Sequence, residues 1–273
     1  MLKKIEKSAG FLKNHEENLR CPLCHEAFTL SGYALICQNR HTFNINKKGF
    51  VNFLQQKPDT EHYTRKMFDP RRRLIEAGMY TSVLTEIEKF TLKGSLLDVG
   101  TGEGTFLNLL HYEGDKYGFD IAKDGIEMAT ELDINGFLSL SDLTNLPFAD
   151  GSFSTILNIF TPSNYREFKR VMADKARVLK IVPDQFYLKE LREIYGIPLD
   201  YDNSAVVERF KQEFEQTEQI EIHEVFNIPE ELREDFLEMS PLEWSVSEEI
   251  KKTAHQNPPH TATVHVQLLI GQK

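Results

Sequence analysis

The stretch that most restricts this chain spans residues 94–106 and reads GSLLDVGTGEGTF. Leu96, Leu97 and Val99 form the short apolar run of a strand buried on both faces. Gly100, Gly102 and Gly104 then let the backbone turn tightly and approach a ligand, and a helical pattern resumes over 105–111. Strand, glycine turn and helix in that order belong to a doubly wound α/β sheet, which binds ligands at the carboxyl ends of its strands. No Lys-Ser or Lys-Thr pair follows the glycines, which excludes a P-loop.

Two carboxylates narrow the ligand to S-adenosylmethionine rather than a dinucleotide. Asp98 ends the first strand, placed to hold an ammonium directly or through water. Asp120, in KYGFDIA, ends the next apolar strand 20 residues after Gly100, where an acidic side chain accepts both ribose hydroxyls. A third strand over 137–142 ends in Ser141 and Asp142, candidates to hydrogen-bond the adenine. Further strands are predicted over 154–160, 177–182, 218–228 and 261–270, separated by helices or loops.

All three cysteines of the 273 residues fall in one window, C-x2-C-x12-C-x3-H, formed by Cys21, Cys24, Cys37 and His41. Two close pairs separated by a loop are the spacing of a structural zinc site, and four protein ligands leave no open position for catalysis. His25, beside Cys24, is a rival ligand with poorer spacing. A ribbon strand is predicted into Cys37, turned at Gly32, with Phe43 and Ile45 on its partner.

Charge is unevenly distributed. Residues 1–80 carry 14 Lys/Arg against 8 Asp/Glu, a net of +6, and the remainder 18 against 34, a net of −16. A basic first third beside an acidic remainder suits a local anionic partner, or is a solvated surface with chance clustering. Lys47, Lys48, Arg65, Lys66, Arg71, Arg72 and Arg73 are candidates for phosphate contacts. Phe43, Phe50, Phe53 and Tyr63 either stack on unpaired bases or form the ribbon's own core. No apolar run reaches transmembrane length, and the charged start does not read as a signal peptide, so the cytoplasm is expected.

With both sites in one chain, the sequence resembles the large-subunit ribosomal RNA guanine-N1 methyltransferases. The likeness runs through CPLC…ICQNRH, KKGFVNFL, RRRLIEAGMY, LLDVGTGEG, GFDIAKDGI, LPFADGSF, LKELREIY and MSPLEW. It implies a zinc-ribbon RNA-recognition domain at 1–60, a helical connector at 61–93, and a class I, Rossmann-like S-adenosylmethionine-dependent methyltransferase domain with a seven-stranded sheet at 94–273. It implies zinc on Cys21, Cys24, Cys37 and His41, and cofactor contacts from Tyr80, Thr101, Gly102, Glu103 and Tyr187. The implied substrate is a hairpin of 23S rRNA, with no membrane partner and with a homodimer whose two ribbons form a cleft. Where relatives carry a Lys-Pro-Gly-Gly turn before strand five, this chain has Met172-Ala-Asp-Lys-Ala-Arg177.

At the end of strand four, Asn158 and Phe160 are candidates to hydrogen-bond and stack on the guanine, or else ordinary strand packing; no general base is evident from sequence. Two other readings remain open at this point: a methyltransferase of a small metabolite with the ribbon as lid, and a non-catalytic rRNA-binding assembly factor.

Overall fold

The computed structural model describes residues 2–56, 63–199 and 201–273. The boundary expected at 60/61 lies outside the described residues. The chain begins with helix α1 (Lys4–Lys13), followed by strands β1 (Phe28–Ser31), β2 (Ala34–Cys37), β3 (Thr42–Asn44) and β4 (Val51–Asn52) and helices α2 (Arg65–Glu76) and α3 (Thr81–Glu88). An alternating part follows: β5 (Ser95–Val99), α4 (Thr105–Leu109), β6 (Asp115–Asp120), α5 (Lys123–Ala129), β7 (Gly136–Leu140), β8 (Phe153–Ile159), α6 (Tyr165–Val171) and β9 (Met172–Pro183). The chain closes with α7 (Lys189–Ile194), α8 (Ser204–Glu213), β10 (Gln216–Asn227), α9 (Arg233–Glu238), α10 (Glu248–Gln256) and β11 (Thr261–Gln272).

β1, β2 and β3 form an antiparallel ribbon. The other strands form one sheet in the order β10-β11-β9-β8-β5-β6-β7-β4. From β4 to β9 all neighbours are parallel, and β11 and β10 add antiparallel. The sheet has eight strands, not the seven expected. The extra one is β4, from the segment just after the ribbon: Val51 and Asn52 pair with Ser139 and Leu140 of β7. Two residues are too few for a periodic signal, so this strand had no sequence signature.

Alternation along the strands sorts the core onto two faces. Leu96, Leu157 and Leu179 face α2 and α3, while Leu97, Ile156 and Val178 face the ribbon side. Ribbon and sheet thus share one packed interior. Phe28, Phe43 and Phe53 sit with ring centroids 5.0–6.0 Å apart and are 3–9% exposed, so Phe43 and Phe53 are core, as is Phe50. The LPFADGSF segment docks on the ribbon: Leu19 bridges to Phe148, Arg20 N donates to Pro147 O at 3.1 Å, and Asn145 Nδ2 donates to Pro22 O at 2.7 Å.

β9 is longer than the expected 177–182 and already begins at Met172. Its register against β8 jumps between Phe153–Met172 and Thr155–Arg177, and Lys175 takes φ +62° within the jump. The substituted turn before strand five is therefore a bulge inside a continuous strand.

Candidate active site and metal centre

The four ligands predicted from the cysteine window converge. The Sγ atoms of Cys21 and Cys37 lie 3.5 and 3.4 Å from His41 Nδ1, and the Sγ atoms of Cys24 and Cys37 are 3.6 Å apart. A zinc ion with bonds of about 2.3 Å to sulfur and about 2.0 Å to nitrogen spaces tetrahedral neighbours about 3.5–3.8 Å apart. The observed separations fit that figure, so the donor set suits a closed Cys3His zinc site through Nδ1. Two backbone turns build it. His25 N donates to Cys21 O and Arg40 N to Cys37 O, both at 2.8 Å. His25 and Arg40 each adopt a positive φ, +65° and +64°. His25 is exposed and stands outside the ligand cluster.

In a second grouping, Glu221, His223 and His265, the His265 ring is fixed by hydrogen bonds and stacks on His223 with centroids 4.4 Å apart. Phe186 N donates to His265 Nδ1 at 3.2 Å, which leaves the ring proton on Nε2, facing Glu221 at 2.9 Å. A ring whose Nδ1 accepts a proton and whose Nε2 donates one has no lone pair for a metal.

A cavity of about 390 Å3 lies at the carboxyl ends of β5, β6 and β8. Gly100, Gly102, Glu103, Asp120, Ser141, Asp142, Phe160 and Tyr187 all line it. Gly100, at φ +69°, passes so close to Thr161 that a side chain there would collide with the threonine hydroxyl. Asp120 braces the loop with both oxygens, accepting from Gly102 N at 2.8 Å and Ala122 N at 2.7 Å. Asp98, Thr101 and Tyr80 lie behind the wall. Asp98 accepts the Thr101 hydroxyl at 2.6 Å, and the Tyr80 hydroxyl meets that of Tyr187 at 2.7 Å.

Burial dominates the electrostatics here. It pushes the Asp98 carboxyl up to about 7 and raises those of Glu103 and Asp120. Glu103 and Asp120 line the cavity, where a cationic ligand would offset the cost of ionising them. Beside them is a residue whose role sequence reasoning misplaced. Arg71, expected on an RNA-facing run, points into this cavity. Its Nε is buried without a hydrogen-bond partner, 3.8 Å from Glu103 Oε1. Its neighbours are also engaged: Arg72 Nη2 donates to Glu103 O at 3.0 Å, and Arg73 grips Asp235 with two nitrogens at 2.5–2.6 Å. A one-dimensional charge run carries no information about which way successive helical side chains point; only the α2 register does.

The cavity therefore offers the Glu103 and Asp120 carboxylates for a cation and, for an anion, the Arg71 guanidinium, whose Nε makes no hydrogen bond. S-adenosylmethionine, with sulfonium, ammonium and carboxylate, fits that donor set. Met239, Ser240 and Pro241 complete one wall; they come from the MSPLEW segment, which carried the resemblance without an assigned role.

Of the two candidates for the guanine, Phe160 lines the cavity, takes φ +54°, and stacks on Tyr187 with centroids 5.1 Å apart. Asn158 is fully buried, and its amide is used inward. Nδ2 donates to Pro162 O at 3.0 Å, while Oδ1 accepts from Ser163 Oγ at 2.9 Å and from Lys180 Nζ. Asn158 shapes the 158–163 turn and, being fully buried, does not line the cavity.

Comparison with known proteins gives two family matches: the model described as RlmA, N-terminal, a zinc ribbon, over residues 19–58, and the model described as Methyltransferase domain over residues 97–181. YxjB of Bacillus subtilis (strain 168), whose name places it among 23S rRNA (guanine-N(1)-)-methyltransferases, is 34% identical over 273 residues, covering 93% of this chain and 96% of its own. The 23S rRNA (guanine(748)-N(1))-methyltransferase of Streptomyces fradiae is 25% identical over 263 residues, covering 92% and 90%.

Proposed function

The chain belongs to the 23S rRNA (guanine-N1)-methyltransferase family, and from that premise we propose that it methylates N1 of a guanine in a hairpin of 23S rRNA, using S-adenosylmethionine. The observation that carries the reading is the cavity at the glycine loop, where buried carboxylates and the unpartnered Arg71 Nε match a ligand bearing both charges.

S-adenosylmethionine supplies a methyl group activated by the sulfonium. The protein's residues position it. Asp120 takes the ribose hydroxyls, Ser141 and Asp142 the adenine, and Arg71 the methionine carboxylate. Gly100 and Gly102 allow close approach, and Thr101 on Asp98 stiffens the loop beneath. Glu103 and Tyr187, with Tyr80 behind it, enclose the methionine end.

Guanine N1 is hidden in a base pair, so the target must be unpaired or flipped to reach the methyl group. RNA docking falls to the ribbon, organised by structural zinc on Cys21, Cys24, Cys37 and His41. Its exposed tips carry Arg40 and Lys47, which form no ion pair among the described residues, alongside Leu23 and Tyr33. The division into ribbon (1–60), connector (61–93) and methyltransferase (94–273) describes these roles, although β4 links the first to the last. Among the described residues no helix is long and apolar enough to cross a membrane. A cytoplasmic homodimer presenting two ribbons to one hairpin completes the reading.

The test is to incubate the protein with radiolabelled S-adenosylmethionine and either 23S rRNA or a metabolite extract, then map the label. Label on guanine N1 supports the reading; label only on metabolites, or none, defeats it.

A further inference from the structure

Beyond the first cavity lies a second of about 590 Å3, and Phe160, Thr161, Pro162 and Pro183 line both. Its own residues include Tyr165, Tyr201, Arg209 and Lys180. Lys180 has no role in the function described so far. It sits in the middle of β9, 4% exposed, beside Asn158 on β8 and Leu269 on β11.

A buried lysine normally has a carboxylate partner. Lys180 has none among the described residues. Its Nζ instead donates to Asn158 Oδ1 and, at 3.1 Å, to Thr161 O. A neutral amine has two hydrogens and one lone pair. Two acceptors satisfy both hydrogens and leave the lone pair free. The groups facing it from the surrounding elements are Asn158 and Thr161 beside it. Across the cavity are Tyr165 of α6, Tyr201, and Arg209 of α8, which Glu213 already pairs at 2.5 Å. None is a free anion that would hold the ammonium form, and desolvation brings the amine down to about 8.

We propose that the second cavity receives the flipped guanine and that Lys180 Nζ is the general base that removes its N1 proton. The inference rests on the reading of guanine N1 as the methyl acceptor. The Nζ lone pair takes the proton, and the N1–H bonding pair becomes the N1 lone pair. N1 forms its bond to the methyl carbon as the carbon–sulfur bond breaks, the electron pair staying on sulfur. S-adenosylhomocysteine and 1-methylguanine result, and the lysine ammonium returns its proton to water. Phe160, in the wall common to both cavities, stacks against the base, and Arg209 at the rim meets its phosphate.

The test compares wild type with Lys180→Arg and Lys180→Met in single-turnover methyl transfer to 23S rRNA from pH 6 to 10. Product is identified by nucleoside mass spectrometry, and cofactor affinity and thermal melting are measured alongside. Arginine retains donors for Asn158 and Thr161 but stays protonated throughout. The expected wild-type rate rises to a plateau with an apparent pKa near 8. In Lys180→Arg, with melting and cofactor affinity retained, the rate falls by about 100-fold or more and the limb near 8 disappears. A Lys180→Arg enzyme with wild-type rate and the same pH limb overturns the proposal, and so does a Lys180→Met enzyme that keeps both. Wild-type product methylated elsewhere than N1 instead defeats the functional reading, so the two failures are distinguishable.

Discussion

The phenolic oxygens of Tyr80 and Tyr187 lie 2.7 Å apart, joining the connector helices to the turn between β9 and α7 across 107 positions. Tyr80 is 2% exposed and sits behind the cavity, its ring edge-on to Phe106 and Phe160 at 5.3 and 5.8 Å. Tyr187 faces the cavity. The two hydroxyls should therefore separate stability from binding. Tyr80→Phe leaves the Tyr187 hydroxyl without its partner and is expected to cost about 1 kcal/mol in chemical denaturation, with cofactor affinity nearly unchanged. Tyr187→Ala removes a lining surface and the stack on Phe160, and is expected to weaken cofactor binding about tenfold or more. Equal affinity losses in calorimetric titrations of both variants would contradict this division.

The metal cluster makes a second expectation local. Cys24→Ser removes one corner of the Cys3His set, and the remaining donors no longer close a tetrahedron. Zinc content should fall to near zero by elemental analysis. Hydrogen exchange should then rise over residues 20–55 and in the docked loop around Asn145–Asp150, which bonds to the ribbon backbone. The inner strands β5 and β8 should stay protected. Full zinc occupancy in the purified variant would remove His41 and the three cysteines as the ligand set.

These contrasts indicate what could be read from the chain alone. The seven longer strands and the glycine turn were legible because apolar runs and glycines are local signals. The zinc donors were legible because their spacing is itself the geometry of two turns. β4 was hidden, since a two-residue strand exists only through its partner β7. The inward turn of Arg71 was hidden because charge counts ignore helix phase, and the self-sufficiency of Asn158 because its three partners are set by a loop fold. Lys180 gave no signal at all: a lone lysine in an apolar strand looks like an edge residue until the sheet order places it between β8 and β11.

Asp98 ties stability to pH. Its carboxyl, pushed up to about 7 by burial, titrates near 3.9 when unfolded. Between those values the folded chain binds more protons than the unfolded one, so this group's stabilising share is full below about 4 and is lost as pH rises through 7. Asp98→Asn keeps an acceptor for the Thr101 hydroxyl and cannot ionise. Relative to wild type, the ligand-free variant should gain melting temperature from pH 4.5 to about 7 and level off above it. A difference that does not change with pH would mean Asp98 stays ionised in the folded protein.

Arg71 and the ribbon cations provide a contrast between cofactor and RNA. The Arg71 guanidinium is in the cavity, over the Phe106 ring at 5.6 Å. Arg71→Met should cost S-adenosylmethionine about 1.5–3 kcal/mol of affinity, the worth of a hydrogen bond to a charged group, while the salt dependence of RNA binding stays as in wild type. Arg40→Glu with Lys47→Glu should do the reverse. Each lost phosphate contact lowers the slope of log affinity against log salt by about 0.7–0.9, and the cofactor isotherm should be unaffected. Fluorescence anisotropy of a labelled rRNA hairpin at several salt concentrations, run beside calorimetry of the cofactor, reads both. A flattened salt slope in Arg71→Met would return that residue to the RNA-facing surface suggested by its neighbours in sequence.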